Sequence, residues 1–147
     1  MEDIGLASSL LEEENLKLVI VKGGRVLFSS QESGVAPLFQ AVQSMGKSLC
    51  NAALADRIVG SAVAMLCLHA RITSVYADVA SQGALDMLRE QGVIINTKKI
   101  VTHISNYDGT DLCPFEKMAR NSESPAQLFS NLKLMFGGHS NDGEEFP

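Results

Sequence analysis

Ile72-Thr73-Ser74-Val75-Tyr76-Ala77-Asp78-Val79, with Ser81-Gln82-Gly83-Ala84-Leu85 close behind, is the stretch on which the fold turns. Its first part is β-branched and aromatic, the composition of a strand. Ser81 fits the N-cap of a helix over 83–90 whose Ala84, Leu85 and Leu88 turn inward. A strand thus runs directly into a helix. Gly92 ends that helix, and Ile100-Val101-Thr102-His103-Ile104 alternates as a further strand would.

The same signals extend in both directions. Upstream, Leu16-Lys17-Leu18-Val19-Ile20-Val21 and Arg25-Val26-Leu27-Phe28-Ser29 flank Gly23-Gly24, a pair that supplies the positive φ of a hairpin turn. Residues 3–14 carry Ile4, Leu6, Leu10 and Leu11 among acidic residues, a short amphipathic helix. Pro37 sits in the first turn of a helix that aligns Leu38, Val42, Met45 and Leu49. A helix is expected over 55–69, apolar on nearly every side and therefore central. Within it Gly60 and Ala64 let another backbone approach, at a propensity cost of about 1 kcal/mol for glycine. Ser124-Pro125-Ala126-Gln127 is a capping box with proline at N1. It opens a last helix that buries Leu128, Phe129, Leu132, Met135 and Phe136 and stops at Gly137. Strands alternating with helices after an initial hairpin predict an α/β protein, a three-layer α/β/α sandwich on a mixed sheet.

Size and charge restrict the function. The chain has 147 residues, 46% hydrophobic and 20% charged, enough for one domain over 1–136. Residues 137–147 offer nothing to bury and are expected to be a disordered tail. The formal net charge of −5 repels phosphate backbones, which argues against nucleic-acid binding. The longest apolar run, 58–68, is about half of the ~20 residues that span a bilayer, so no membrane insertion is expected. Three cysteines at irregular spacing, Cys50, Cys67 and Cys113, do not form a disulfide framework. Together with the absence of a signal sequence, this points to the cytoplasm.

In such folds ligands sit beyond the carboxyl ends of the strands, where helices begin. One helix start is Cys113-Pro114-Phe115-Glu116-Lys117, with Pro114 at N1, Glu116 at N3 and Cys113 at the N-cap, where backbone N–H groups favour a thiolate. The alternative is a plain capping arrangement. Another start is Asp56-Arg57, where Asp56 faces the cleft as a proton carrier or serves only the helix dipole. Lys47, Arg57 and Lys117 are candidate charge partners or simple surface charges. Cys67 and His69, about 200° apart on a helix, cannot chelate one ion. No zinc or phosphate-loop motif is present, so neither a metal nor another cofactor is expected.

Several of these segments, in this order, resemble a small bacterial family catalogued as domain of unknown function 1893. They are the hairpin at 18–30, Gly34-Val35-Ala36-Pro37-Leu38, Ala55-Asp56-Arg57-Ile58-Val59-Gly60-Ser61-Ala62, and Cys113-Pro114-Phe115-Glu116-Lys117. The resemblance implies a cytidine-deaminase-like fold whose cleft is made by the starts of two helices. Zinc deaminases place a His-x-Glu and a Pro-Cys-x-x-Cys there. The matching positions here resemble Ala55-Asp56-Arg57 and Ala80-Ser81-Gln82-Gly83, without the zinc ligands. The expectation is a metal-independent enzyme, such as a hydrolase, or a binding protein for a nucleotide-like small molecule. Asp56, Cys113 and Glu116 would be catalytic, and Lys47, Arg57, Gly60, Ser81 and Pro114 would contact the ligand. The competing expectation is a non-catalytic regulatory or homodimeric module that has lost the zinc site.

Overall fold

The computed structural model describes residues 2–105 and 112–136. Helix α1 (Asp3–Glu13) leads into a hairpin of β1 (Leu18–Lys22) and β2 (Arg25–Ser30). Gly23 and Gly24 both take positive φ at the turn, which glycine does at little cost. Their N–H groups donate to the two carboxylate oxygens of Asp3, each at 2.8 Å, and so pin the start of α1 to the turn.

Helix α2 (Val35–Met45) and a 3₁₀ turn (Gly46–Leu49) precede β3 (Ala53–Val59). Then α3 (Ser61–Ala70), β4 (Ser74–Ser81), α4 (Gln82–Glu90) and β5 (Ile94–Val101) make two successive parallel β–α–β units. Helices α5 (Pro114–Asn121) and α6 (Pro125–Phe136) follow. The sheet order is β2-β1-β3-β4-β5, with β1 antiparallel to both of its neighbours.

Helix α1 covers one face, setting Ala7 and Leu11 against Val19, Val21 and Ala55. The opposite face carries the larger core, in which Leu18, Ile20, Leu54 and Val75 meet Phe39, Leu66 and Leu85. Helix α6 lies on α3, with Leu128 and Leu132 fully buried. This is the mixed-sheet sandwich with helices on both sides. Among the described residues no helix is long and apolar enough to cross a membrane.

Four local expectations fail. The helix expected to carry Leu49 stops at Met45, where Gly46 takes positive φ, and Leu49 lies in the 3₁₀ turn. The stretch expected as one helix over 55–69 divides at Gly60 into strand β3 and helix α3. Ala53, Leu54 and Ala55 are all buried because β3 lies between two strands with helices on both faces. A strand in that position loses the polar alternation that would identify it, and pairing overrides the helix preference of Ala and Leu. The last strand starts at Ile94 rather than near residue 100 and ends at Val101, before His103. Its Lys98-Lys99 pair suits an edge strand. Met135, expected inward on α6, is 55% exposed. The expected tail at 137–147 lies outside the described residues.

Candidate functional site

At the carboxyl edge of the sheet, β3 and β4 each deliver a helix, and the two helix starts lie side by side. A Cβ placed on Gly83 would sit 3.5 Å from Ser61 Oγ, an ordinary contact between the first turns of α4 and α3. Each start is satisfied differently. At α4, Ser81 Oγ accepts the Ala84 N–H at 3.2 Å as a side-chain N-cap. At α3 no residue of the helix provides a cap.

The carboxylate comes instead from α5. Glu116 accepts the Ser61 N–H on Oε1 at 2.9 Å and the Ala62 N–H on Oε2 at 3.1 Å. It is 7% exposed and 54–55 residues away along the chain. Both oxygens meet donors at the positive end of a helix, the setting in which a carboxylate is best held. The close fit depends on Gly60. A Cβ there would fall 2.5 Å from Glu116 Oε2 and 2.8 Å from Ile104 Cγ1. Gly60 has φ −103 and ψ −169, extended backbone open to any residue. Space, not backbone conformation, is what calls for glycine here.

Cys113 and Pro114 occupy the N-cap and N1 positions of α5, as expected. Cys113 makes no side-chain cap bond, but its N–H donates to Ile104 O at 3.0 Å, and its carbonyl accepts from the Glu116 and Lys117 amides. The segment is therefore anchored where Glu116 can reach α3. Glu116 caps a neighbouring helix rather than its own. The sequence segments containing Gly60 and Glu116 do meet, through these two residues.

Asp56 has a different setting. It lies within β3, paired with Leu18 and Ala77, and not at a helix start. It is 8% exposed, and Oδ1 accepts the Arg57 N–H at 2.7 Å. Burial pushes its carboxyl up to about 8, against the lowering effect of the Arg57 and Ile58 backbone amides and the Arg57 charge. Burial also raises the Cys67 thiol, with the nearby Asp56 charge adding to the effect. A neutral Asp56 in the core is chemically unlike a carboxylate open to a cleft.

Arg57 projects toward α1. Its Nε donates to Leu16 O at 2.9 Å, Nη2 to Leu11 O at 2.8 Å and Nη1 to Asp78 Oδ2 at 2.9 Å, with Glu12 3.6 Å away. Tyr76 Oη donates to Asp78 Oδ1 at 2.8 Å. Burial pulls the Asp78 carboxyl up, but the bonds from Arg57 and Tyr76 outweigh it and hold the group below its ordinary value. This network fastens α1 to the sheet. Lys47 is exposed in the 3₁₀ turn that leads into β3. It stands at the pole opposite Gly60, separated from it by a strand roughly 20 Å long.

Among the described residues no three His, Cys, Asp or Glu side chains are placed to hold a metal ion. Ser61, which takes part in the α3–Glu116 junction, was not singled out from sequence. The signal available was its place directly after Gly60, once Gly60 is read as a helix boundary.

Residues 6–135 match the sequence profile of a family described as TM1506, domain of unknown function (DUF1893). Among solved structures the chain is similar to the crystal structure of a DUF1893 family protein (TM1506) from Thermotoga maritima. The two share 25% identity and a TM-score of 0.82 over 91% of this chain and 90% of that one. A diaminohydroxyphosphoribosylaminopyrimidine deaminase/5-amino-6-(5-phosphoribosylamino)uracil reductase from the same organism is similar over 70% of this chain and 33% of that one, at 15% identity and a TM-score of 0.47. No functionally curated protein matches the sequence. On the match over residues 6–135, the chain belongs to the DUF1893 family.

Proposed function

We propose that the chain is a non-catalytic binding module of deaminase-like architecture, in which the protein's own Glu116 fills the helix-start cleft. The observation that carries this reading is the double hydrogen bond from Ser61 and Ala62 to the Glu116 carboxylate, packed against the open Cα of Gly60. A helix start is a ready anion site, and here an internal anion takes it. Asp56, the other candidate acid, is buried within β3, which removes a second carboxylate from the reading.

The test is chemical replacement of the plug. Glu116→Ala loses thermal stability, and sodium formate, a carboxylate small enough to occupy the emptied position, restores part of it while leaving the unaltered protein unmoved. The unaltered protein releases no ammonia from nucleosides or nucleotides above a buffer control. Release of ammonia that disappears in Glu116→Gln would overturn the reading and make Glu116 a proton carrier.

A second reading retains a small-molecule site at this rim, with Cys113 as a thiol contact and Ser61, Ser81 and Pro114 beside it. The adjacency of the α3 and α4 starts favours it, as does the partial exposure of Cys113. Alkylation of Cys113 that a nucleotide slows would support it. Unchanged alkylation with saturating nucleotide would set it aside.

A further inference from the structure

At the opposite pole the structure has a groove of about 800 Å³, within the size range of small-molecule sites. It opens where the carboxyl ends of α3 and α4 meet the first residues of α6. Met65, Leu68, Met87 and Val93 supply apolar wall. The backbone framing it is cross-linked: the Asn51 N–H donates to Arg71 O at 2.8 Å, the Thr73 N–H to Ala52 O at 3.1 Å, and the Ile94 N–H to Thr73 O at 3.1 Å. Asn51 and Arg71, both lining residues, hold left-handed φ values of 69° and 64°, conformations that cost about 1 kcal/mol or more outside glycine. The groove is built, not a gap between loose ends.

Its lining is net acidic, with Glu90 and Glu123 against Arg71, the C-cap of α3. Two helices end here and present their negative poles. Glu90 is the last residue of α4, where a carboxylate opposes the dipole, and among the described residues it forms no ion pair. Glu123 also lines the groove, although the start of α6 beside it favours an acidic group. His69, in the last turn of α3, stacks on Phe129 with ring centroids 4.6 Å apart. Burial lowers its pKa and so disfavours its charged form. Arg71 is the only fully charged cation among the lining residues, and it is exposed.

We infer that this groove binds a small organic cation, a protonated amine on an apolar body, with the ammonium at Glu90 and the body along Met65 and Met87. The inference is independent of how the helix-start cleft is read, since no residue is shared between the two.

The test is a titration of the full chain, carrying ¹³C-methyl methionine, with phenethylamine and with 3-phenylpropionate. The two probes have a similar body and opposite charge. The amine shifts the Met65 and Met87 methyl signals and binds at least about tenfold more tightly than the carboxylate, a difference two opposed charges readily supply. Glu90→Gln narrows the difference below about threefold. Glu90 is exposed, so the variant keeps its melting temperature. Equal or tighter binding of the carboxylate, a preference unchanged in Glu90→Gln, or methyl signals that move with neither probe would each overturn the inference.

Discussion

A double-mutant cycle on Gly60 and Glu116 measures the contact that organises the helix-start edge. Glu116→Ala removes an acceptor from two N–H donors at 2.9 and 3.1 Å in a buried position. At about 1.5–3 kcal/mol for each hydrogen bond to a charged group, the loss is about 3–6 kcal/mol. Gly60→Ala keeps an allowed backbone but sets a methyl 2.5 Å from Glu116 Oε2, 2.7 Å from its Cδ and 2.8 Å from Ile104 Cγ1. The carboxylate has to retreat, breaking one or both bonds, at a cost of about 2–4 kcal/mol. Once Glu116 is alanine, two of those three contacts are gone and only Ile104 has to shift. Gly60→Ala should then cost about 1 kcal/mol, giving a coupling on the order of 2 kcal/mol. Urea denaturation followed by far-ultraviolet circular dichroism yields each free energy from its midpoint and slope. Costs that add to within about 0.5 kcal/mol would mean the two residues do not meet, and the plugged cleft would have no basis.

Asp56 yields a prediction in pH. Its folded pKa, about 8, stands above the ordinary 3.8, so it contributes stability fully below about 3.8 and loses that contribution as pH rises toward 8, by about 1.4 kcal/mol per unit. Asp56→Asn should flatten the fall between pH 5 and 8 in chemical denaturation; parallel profiles for the two proteins would refute an ionisable buried Asp56. Arg57→Ala removes three hydrogen bonds, one of them to Leu11 in α1 and one to Leu16 in the connection to β1, and should cost about 2–4 kcal/mol. Arg57→Lys should recover less than half of that, since an ammonium cannot copy the planar fork; amide exchange in α1 should accelerate in both, and unchanged exchange there would count against the clamp. A disulfide reagent should modify Cys50 and Cys113 in the native protein and reach buried Cys67 only on unfolding; three rapidly reacting thiols would contradict the packing of α3.

The features legible in the sequence are those with local causes. Gly23-Gly24 sets a turn whatever surrounds it, Ser81 finds its donor three residues on, and Pro114 can only start α5. Where the cause is distant the reading slips. Ala53 to Val59 resembles a helix because Ala, Leu and Arg favour one, and only the pairing with Leu18 and Ala77 makes it a strand. That slip moved the expected helix start from Gly60 to Asp56 and put an acid at a rim it does not occupy. Glu116 is the mirror case. Its spacing from Cys113 indicates an N3 carboxylate, which it is, but nothing in the spacing reveals that its side chain serves α3. The expectation joined Asp56 and Cys113 in one cleft; the residues that meet are Gly60, Ser61 and Ala62 with Glu116.

The two poles of the molecule follow from one topological fact. Because β3, β4 and β5 are parallel, α3 and α4 run back in the same sense, and their dipoles reinforce instead of cancelling. The positive ends of α3 and α4 gather at one edge of the sheet and their negative ends at the other. At the positive edge the chain supplies its own compensation, a carboxylate at α3 and a hydroxyl at α4. At the negative edge the compensation is mixed: Arg71 is the C-cap of α3 and Arg89 lies in the last turn of α4, but Glu90 closes α4 and burial disfavours the charged form of His69 near the end of α3. The carboxylate of Glu90 therefore stands at the edge of the sheet opposite the filled helix start. A ligand search confined to the helix starts would look where the electrostatics are already satisfied.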